Sequence, residues 1–297
     1  MKRFAITGVA GYIAPRHLRA IRDTGNILVA AADPHDSVGI LDQYFPEAAF
    51  FTEIERFDRH LDKLRRVGNG IDYLSICSPN NLHDAHIRLA LRNDAHAVCE
   101  KPLVLNPWNL DLLEKLEEEF NKKIFTILQL RVHPSLADLK KKLESDNRDI
   151  RYNVDLSYIT SRGKWYDYSW KGDPQKSGGI ATNIGIHFFD LLIWLFGKPK
   201  NQIVLINEKD KMKGEIQLER ADVSWYLSID KNDLASELIK NGKTTYRSIK
   251  INDKEIEFTE GFTELHTEVY KRTLSGQGFT ISDARASIEF VQQLRSK

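Results

Sequence analysis

The segment Phe4–Ala14, FAITGVAGYIA, decides the fold of the amino-terminal half of the chain. Its first four residues predict an apolar strand, small residues follow in a turn, and residues 15–23 have helical spacing. A strand, a glycine turn and a helix in this order bind the pyrophosphate of a nucleotide, because small residues let it approach and the first helix amides favour its charge. The small residues do not follow G-x-G-x-x-G, so the turn alone is a weak signal. The predicted cofactor contacts in the turn are Gly8, Ala10, Gly11, Tyr12 and Ile13.

An acidic residue follows the second predicted strand, residues 27–32. Asp33 lies about 20 residues beyond the turn, where a carboxylate would accept hydrogen bonds from an adenosine ribose. Pro34, His35 and Asp36 offer no arginine for a ribose phosphate. We therefore expect NAD rather than NADP as the cofactor. In the plainer alternative, Asp33 only caps its loop.

Two further apolar runs end in polar residues. Residues 72–77 lead into Ser-Pro-Asn at 78–80, and residues 95–99 lead into Glu-Lys-Pro at 100–102. The carboxyl ends of parallel strands form the rim where such sheets bind ligands, so both ends are expected to face the cofactor. The plainer alternatives are a helix cap and a simple strand end. The predicted cofactor contacts here are Ser78, Pro79, Asn80, His83, Glu100 and Lys101.

The order of the predicted elements indicates two domains. Strands and helices alternate up to Leu130, which predicts an α/β domain with a doubly wound parallel sheet over residues 1–130. Strands predominate after Tyr152, so residues 131–297 are predicted to form an α+β domain with a mostly antiparallel open sheet, whose open face could be a subunit interface. The predictions for this domain include hairpin turns at Asn241-Gly242 and Asn252-Asp253, a strand at 255–259 and helices at 261–274 and from Ser282.

Composition excludes several classes of protein. The 297 residues include 43 Lys and Arg against 42 Asp and Glu, so no global charge favours nucleic acid or an anionic membrane. Cys77 and Cys99 end apolar runs, and we interpret them as core residues of a protein from a reducing compartment, with no metal site expected. No apolar run approaches the roughly 18 residues of a membrane span, and the sequence goes straight into a predicted strand, so we expect neither a membrane span nor a signal peptide. The expected location is the cytoplasm.

The stretch from Asn183 to Gly197, NIGIHFFDLLIWLFG, is apolar nearly all round and predicts a buried helix. Asn183, His187 and Asp190 are four and three positions apart, so they form a polar stripe on one face. Histidine is the side chain whose unperturbed pKa is near neutrality, so His187 could take a hydroxyl proton. The alternative is a histidine with a satisfied hydrogen bond in the core.

Residues 158–176 interleave cationic side chains with five aromatic rings. Such a segment suits a ligand with phosphates or a carboxylate and a flat base or sugar face. The alternative is a solvated loop at a subunit interface. The cations are Arg162, Lys164, Lys171 and Lys176.

Together these motifs resemble the glucose-fructose oxidoreductase and inositol dehydrogenase superfamily over essentially the whole chain. The resemblance includes Ala14-Pro-Arg-His17 after the glycine turn, together with the two strand ends and the polar stripe. More narrowly, TSRGKWY at 160–166, WKGDP at 170–174 and GQGF at 276–279 resemble the bacterial UDP-2-acetamido-2-deoxyglucuronate 3-dehydrogenases.

The resemblance implies an NAD-bound Rossmann domain, a homotetramer and a cis peptide bond before Pro102. It implies oxidation of the C3 hydroxyl of UDP-2-acetamido-2-deoxy-D-glucuronate, for a diacetylated aminouronic sugar of surface polysaccharide such as lipopolysaccharide O-antigen. Some relatives regenerate NAD with a 2-oxo acid. Lys101 and His187 match the active-site lysine and histidine, and Asn183 replaces an acidic residue of many relatives. The predicted catalytic residues are therefore Lys101, His187 and Asn183.

The predicted substrate contacts combine the cationic aromatic segment with the polar stripe. They are Arg131, Arg162, Lys164, Trp165, Tyr166, Lys171, Asn183 and His187. Two alternatives stay open: a dehydrogenase of a free polyol such as inositol, which has no diphosphate for the cations to neutralise, and a sugar-sensing regulator without turnover.

Overall fold

The computed structural model describes residues 1–256 and 264–296. The chain divides into two compact units. The first contains Met1–Gln129 and Thr263–Arg285, and the second contains Leu130–Phe262 and Ala286–Lys297. Residues 263–285, which the sequence analysis places in the second domain, therefore group with the first unit. The functional division at residues 130 and 131 stays a prediction.

The first unit contains a six-stranded sheet in the order β3-β2-β1-β4-β5-β6, and every described pairing in it is parallel. This order confirms the predicted doubly wound sheet. The strands are β1 (Arg3–Thr7), β2 (Ile27–Ala32), β3 (Ala49–Phe51), β4 (Tyr73–Ile76), β5 (His96–Cys99) and β6 (Ile124–Thr126). The helices between them are α1 (Ala14–Asp23), α2 (Ile40–Tyr44), α3 (Ile54–Arg66), α4 (His83–Arg92) and α5 (Trp108–Phe120).

The central strands of this sheet are buried on both faces, which explains their continuous apolar sequence. Phe4 and Ile6 of β1 and Val98 of β5 have no exposed surface. Their side chains hold β1 and β5 in place, so the turns that follow these strands start from fixed positions.

The second unit contains a six-stranded sheet in the order β12-β11-β7-β10-β9-β8. The pairing of β10 with β7 is parallel and the other described pairings are antiparallel, as the prediction of a mostly antiparallel sheet requires. The strands are β7 (Tyr152–Thr160), β8 (Pro199–Asn207), β9 (Lys211–Leu218), β10 (Ala221–Ser228), β11 (Thr245–Ile251) and β12 (Lys254–Glu255). The helices of residues 134–240 are α6 (Pro134–Ser145), α7 (Trp165–Tyr168), α8 (Pro174–Ser177), α9 (Ile186–Phe196) and α10 (Ser236–Lys240).

One face of the second sheet is covered and the other is open. Buried and exposed residues alternate strictly along β9 after Lys211, with Met212, Ile216 and Leu218 on the covered face. On the edge strand β8, Ile203 and Leu205 are 50% and 54% exposed. An open face that carries large apolar side chains is typical of a surface that another chain covers.

The long apolar helix is the core element of the second unit. A π-helical turn at Ala181–Gly185 leads into α9, whose Phe188, Phe189 and Leu191 have no exposed surface. Within the described residues, Pro174–Phe196 is the one helical stretch that is long and apolar enough to cross a membrane. Most of this stretch is buried inside the structure, as is expected of a core helix.

The carboxyl-terminal helices are α11 (Leu265–Leu274) and α12 (Ile281–Arg295). The predicted helix at 261–274 and strand at 255–259 extend into residues 257–263, which lie outside the described residues. Asn252 and Asp253, both with positive φ, form the predicted hairpin turn between β11 and β12. The hairpin turn predicted at Asn241-Gly242 is wrong, because these residues end α10 and β7 lies between β10 and β11.

Candidate functional site

The glycine turn after β1 has a conformation that requires glycine at its first position. Gly8 has φ of 78°, and its amide donates a hydrogen bond to the carbonyl oxygen of Ala32 at 2.8 Å, which ties the turn to the end of β2. A Cβ at Gly8 would lie 2.5 Å from the carbonyl of Cys77. The turn therefore passes directly over the end of β4, where a side chain would keep the strands apart.

The amides that follow are available to a ligand. Gly11 bonds back to Gly8 O at 3.0 Å and Ala14 to Gly11 O at 3.1 Å. In residues 1–256 and 264–296, no protein group accepts from the amides of Tyr12 or Ile13. They precede a helix that begins with Pro15 near its first position and has no side-chain cap. Two free amides at a helix start fit an anionic diphosphate, so this turn suits a dinucleotide.

Asp33 is buried beside the turn at the end of β2. Its Oδ2 accepts from the Ala10 amide at 3.0 Å and its Oδ1 from the His35 amide at 2.9 Å. A carboxylate has about four acceptor positions, so lone pairs remain for the two hydroxyls of a ribose. Pro34, His35 and Asp36 are exposed and bring no cation for a ribose phosphate. An acceptor for the ribose hydroxyls without a cation for a ribose phosphate matches NAD rather than NADP.

The end of β4 is held by two histidines. His83 is fully buried, and its ring nitrogens contact Pro102 O at 2.7 Å and Ser78 O at 2.9 Å. Ser78 Oγ contacts His86 Nδ1 at 2.8 Å, and burial lowers the pKa of His86 to about 4. His83 therefore connects Ser78, just after β4, to Pro102, whose peptide bond with Lys101 is cis. Asn80, also predicted to contact the cofactor, is buried here.

Glu100 lies in a buried polar network that sequence reasoning did not find. Its Oε1 contacts His17 Nε2 at 3.0 Å and His266 Nε2 at 2.9 Å, and its Oε2 accepts from the Lys101 amide at 3.1 Å. Burial alone would raise the pKa of Glu100, but the hydrogen bonds from His17 and His266 outweigh it and hold the pKa well below its usual value. The available sequence signal was the spacing of His266 and Tyr270, four positions apart on one face of α11.

His17, Glu100 and His266 also have the donor types of a zinc site. Their ligand atoms lie within 4.8 Å of one another. The Nε2 atoms of His17 and His266, however, both contact Glu100 Oε1 at hydrogen-bond distance. Glu100 Oε2 accepts a hydrogen bond from the Lys101 amide. We therefore interpret the cluster as a hydrogen-bonded network.

The polar stripe of the apolar helix lies in the second unit. Asn183 Nδ2 donates to Tyr166 Oη at 2.8 Å, and Tyr166 is buried. His187 is partly exposed and its ring meets Tyr158 edge-on, with the ring centroids 5.8 Å apart. Asn183 lies in the π-helical turn, a local widening that often occurs at functional sites.

The third member of the stripe is paired with Arg131. Arg131 donates from Nε to Asp190 Oδ2 at 2.9 Å and from Nη2 to Asp190 Oδ1 at 2.7 Å. Both side chains are nearly fully buried. Arg131, a predicted substrate contact, thus directs the fork of its guanidinium at Asp190.

The cationic aromatic segment begins where β7 ends. Lys171 Nζ lies 5.5 Å from the Trp165 ring centroid and 5.6 Å from that of Trp170. Trp165 is 52% exposed, and Arg162 and Lys164 are exposed on either side of Gly163. An exposed indole among three cations can stack on a flat ring and attract phosphate or carboxylate.

Two family models match the chain. Residues 2–127 match the model described as "Oxidoreductase family, NAD-binding Rossmann fold", and residues 150–292 match "Oxidoreductase family, C-terminal alpha/beta domain". The chain belongs to the GFO/IDH/MocA oxidoreductase family. The first of its two family domains is an NAD-binding Rossmann domain, as the glycine turn and Asp33 indicate.

The chain is similar over its whole length to the WlbA (WbpB) dehydrogenase from Thermus thermophilus. The structure of that enzyme with NAD and α-ketoglutarate has 52% sequence identity and a TM-score of 0.96, with 100% of this chain and 95% of the other covered. The structure with NAD and UDP-GlcNAcA has 52% identity and a TM-score of 0.95, with 99% and 95% covered.

Similarity to curated relatives is more distant. Glucose-6-phosphate 3-dehydrogenase from Bacillus subtilis is 25% identical over 206 residues, which are 66% of this chain and 54% of that enzyme. The matches of the chain cover 40% to 60% of the length of the first curated relatives.

Proposed function

We propose that this protein oxidises the C3 hydroxyl of UDP-2-acetamido-2-deoxy-D-glucuronate (UDP-GlcNAcA) to the 3-keto sugar with NAD. The observation that carries the proposal is the 52% identity, over 99% of the chain, to a dehydrogenase solved with NAD and UDP-GlcNAcA. The glycine turn, Asp33 and the cationic aromatic segment supply the groups that the two ligands need.

Cofactor binding is proposed for the turn and the two strand ends. The Tyr12 and Ile13 amides would hold the diphosphate of NAD, and Asp33 would accept from the adenosine ribose. NAD bound by these residues would supply the hydride acceptor for the oxidation. The remaining proposed contacts are Gly8, Ala10, Gly11, Ser78, Pro79, Asn80, His83, Glu100 and Lys101.

Lys101 and His187 are the proposed catalytic residues. Lys101 would orient and polarise the C3 oxygen, and His187 would take the hydroxyl proton. Asn183 cannot act as a base, and its bond to Tyr166 Oη supports a role in positioning. The diphosphate and uronate would bind to Arg162, Lys164, Trp165 and Lys171.

We propose that the protein is a cytoplasmic homotetramer. Its product would serve the synthesis of a diacetylated aminouronic sugar for lipopolysaccharide O-antigen. The open face of the second sheet, with Ile203 and Leu205, supports self-association. A 2-oxo acid is the proposed oxidant of the reduced cofactor, because the similar Thermus enzyme was solved with α-ketoglutarate.

The test mixes purified protein and NAD with UDP-GlcNAcA, and with inositol in a parallel sample. Enzyme is used near the substrate concentration, so that cofactor that stays bound is still detected. We expect nicotinamide absorbance to rise and the sugar nucleotide to lose the mass of two hydrogens. Reduction with inositol alone would contradict the substrate and keep the family. No reduction in either sample, with NAD bound, would favour a sugar sensor.

A further inference from the structure

The buried network around Glu100, the residue next to Lys101, joins it to three elements of the first unit: α1, α11 and β4. His17 comes from α1, directly after the glycine turn, and His266 comes from α11, 166 positions after Glu100. His17, Glu100 and His266 are 0%, 6% and 1% exposed. At this burial both carboxylate oxygens of Glu100 and both ring nitrogens of His17 have hydrogen-bond contacts, so the arrangement around Glu100 is specific.

The hydrogen-bonded network continues from the other ring nitrogen of His17 to β4. His17 Nδ1 contacts Tyr270 Oη at 2.7 Å, and Tyr270 Oη contacts Ser75 Oγ at 2.6 Å. Tyr270 either donates to a neutral His17 or accepts from a charged one and donates to Ser75. Because the pKa of Glu100 lies well below its usual value, the carboxylate is ionised and accepts from His17 Nε2 in either arrangement. Its other oxygen accepts from the Lys101 amide.

We propose that Glu100 is a positioning residue for Lys101, whose main-chain placement and protonation it controls as a fixed buried anion held by His17 and His266. This inference deepens the proposed function, because it depends on the catalytic role of Lys101. The hydrogen bond from the Lys101 amide to Glu100 Oε2 is the direct contact through which the position of Lys101 is set.

Glu100 is buried, so water screens its charge little. The groups that favour its ionised form are His17 and His266, the two histidines that contact it. The effects of Glu100 and Lys101 on the pKa of the buried His83 are opposite, so both charges act in the same small volume. The titratable groups that face Glu100 are His17, His266, Tyr270, Cys77, Cys99 and His83.

The decisive variant is Glu100→Gln, which keeps the size of the side chain and removes its charge. Lys101 is partly exposed, so its amine can be labelled with acetic anhydride and quantified by peptide mass spectrometry across pH. Loss of the anion disfavours the ammonium form, so labelling of Lys101 should move to lower pH by at least about 0.5 unit. We also expect kcat with UDP-GlcNAcA to fall by at least about tenfold.

Three further variants distinguish a positioning role of Glu100 from a general loss of folded structure. Glu100→Asp keeps the charge and should recover part of the labelling profile and of kcat. Tyr270→Phe keeps the ring but removes the bond to His17, and should give an intermediate shift even if Glu100→Gln does not fold. Thr273→Val is the matched control: Thr273 is equally buried on α11 and should leave both readouts unchanged.

The labelling needs no substrate, so it separates this inference from the proposed function. A Lys101 profile that is the same in Glu100→Gln, Tyr270→Phe and the wild type would overturn the inference. So would a labelling shift with unchanged kcat on an active substrate, or an equal shift in Thr273→Val. If UDP-GlcNAcA is not turned over but the labelling shifts, the proposed substrate fails and the coupling of Glu100 to Lys101 stands.

Discussion

Arg131 and Asp190 form a buried ion pair through two parallel hydrogen bonds, of 2.9 and 2.7 Å. The pair joins the start of the second unit to the helix that carries His187. A buried charge that loses its partner is costly, because neither water nor another ion replaces it. The stability of this unit should therefore depend on the pair.

We expect Asp190→Ala to lower the free energy of unfolding by about 3 to 5 kcal/mol, measured by urea denaturation. Asp222→Ala is the matched control, since Asp222 pairs with Arg151 in the same unit but both side chains are 43% exposed. The control should cost at most about 1 kcal/mol. Equal losses would mean that burial of the Arg131 pair contributes nothing.

The glycine turn gives a second matched comparison. Gly8→Ala would place a Cβ 2.5 Å from the Cys77 carbonyl, so it should destabilise the first unit by at least about 3 kcal/mol and abolish NAD binding. Gly25 has a similar φ of 74° with nothing within 4 Å of its Cβ position. Gly25→Ala should cost about 1 to 2 kcal/mol and keep NAD binding, as thermal unfolding and calorimetric titration with NAD will show.

Lys101→Met tests the proposed chemistry. Met has a similar length and no amine, so we expect kcat to fall by at least about 100-fold while NAD affinity stays within about threefold. Single-turnover kinetics and titration with NAD measure the two effects separately. Lys115→Met, on the exposed face of α5, is the control and should be fully active. Wild-type turnover by Lys101→Met would remove the lysine from the mechanism.

The lowered pKa of His86 should make the free energy of unfolding depend on pH. Its pKa is about 4 in the folded protein against a usual 6.5, because burial disfavours the charged ring. Between these values the unfolded chain binds the proton and the folded protein does not. Stability should therefore fall as pH drops from about 6.5 towards 4, by up to about 1.4 kcal/mol per pH unit.

The variant His86→Asn should flatten this dependence, as urea denaturation at a series of pH values will show. His35→Gln, at an exposed position, should keep the wild-type slope. A slope that is identical in His86→Asn and the wild type would assign the pH dependence to other groups.

The sequence alone determined the strands of the first sheet and the positions where they end. Apolar runs, the glycine turn and Asp33 are local signals with a fixed period or spacing, so they identify strands, turn and cofactor class without knowledge of the packing. The same holds for the Asn252-Asp253 turn. The hairpin turn predicted at Asn241-Gly242 was wrong because Asn and Gly, which favour hairpin turns, are also common at the carboxyl ends of helices.

Only the tertiary structure decided which polar side chains meet. Arg131 and Asp190 are 59 positions apart, and Glu100 is 83 positions from His17 and 166 from His266. In the sequence, Asp190 belonged to a stripe with His187, and Glu100 was one residue of a strand end. A hydrogen-bond partner is set by which elements pack together, and no local period records that choice. The sequence therefore predicted where the ligands bind, while the fold decided which buried charges lie behind those positions.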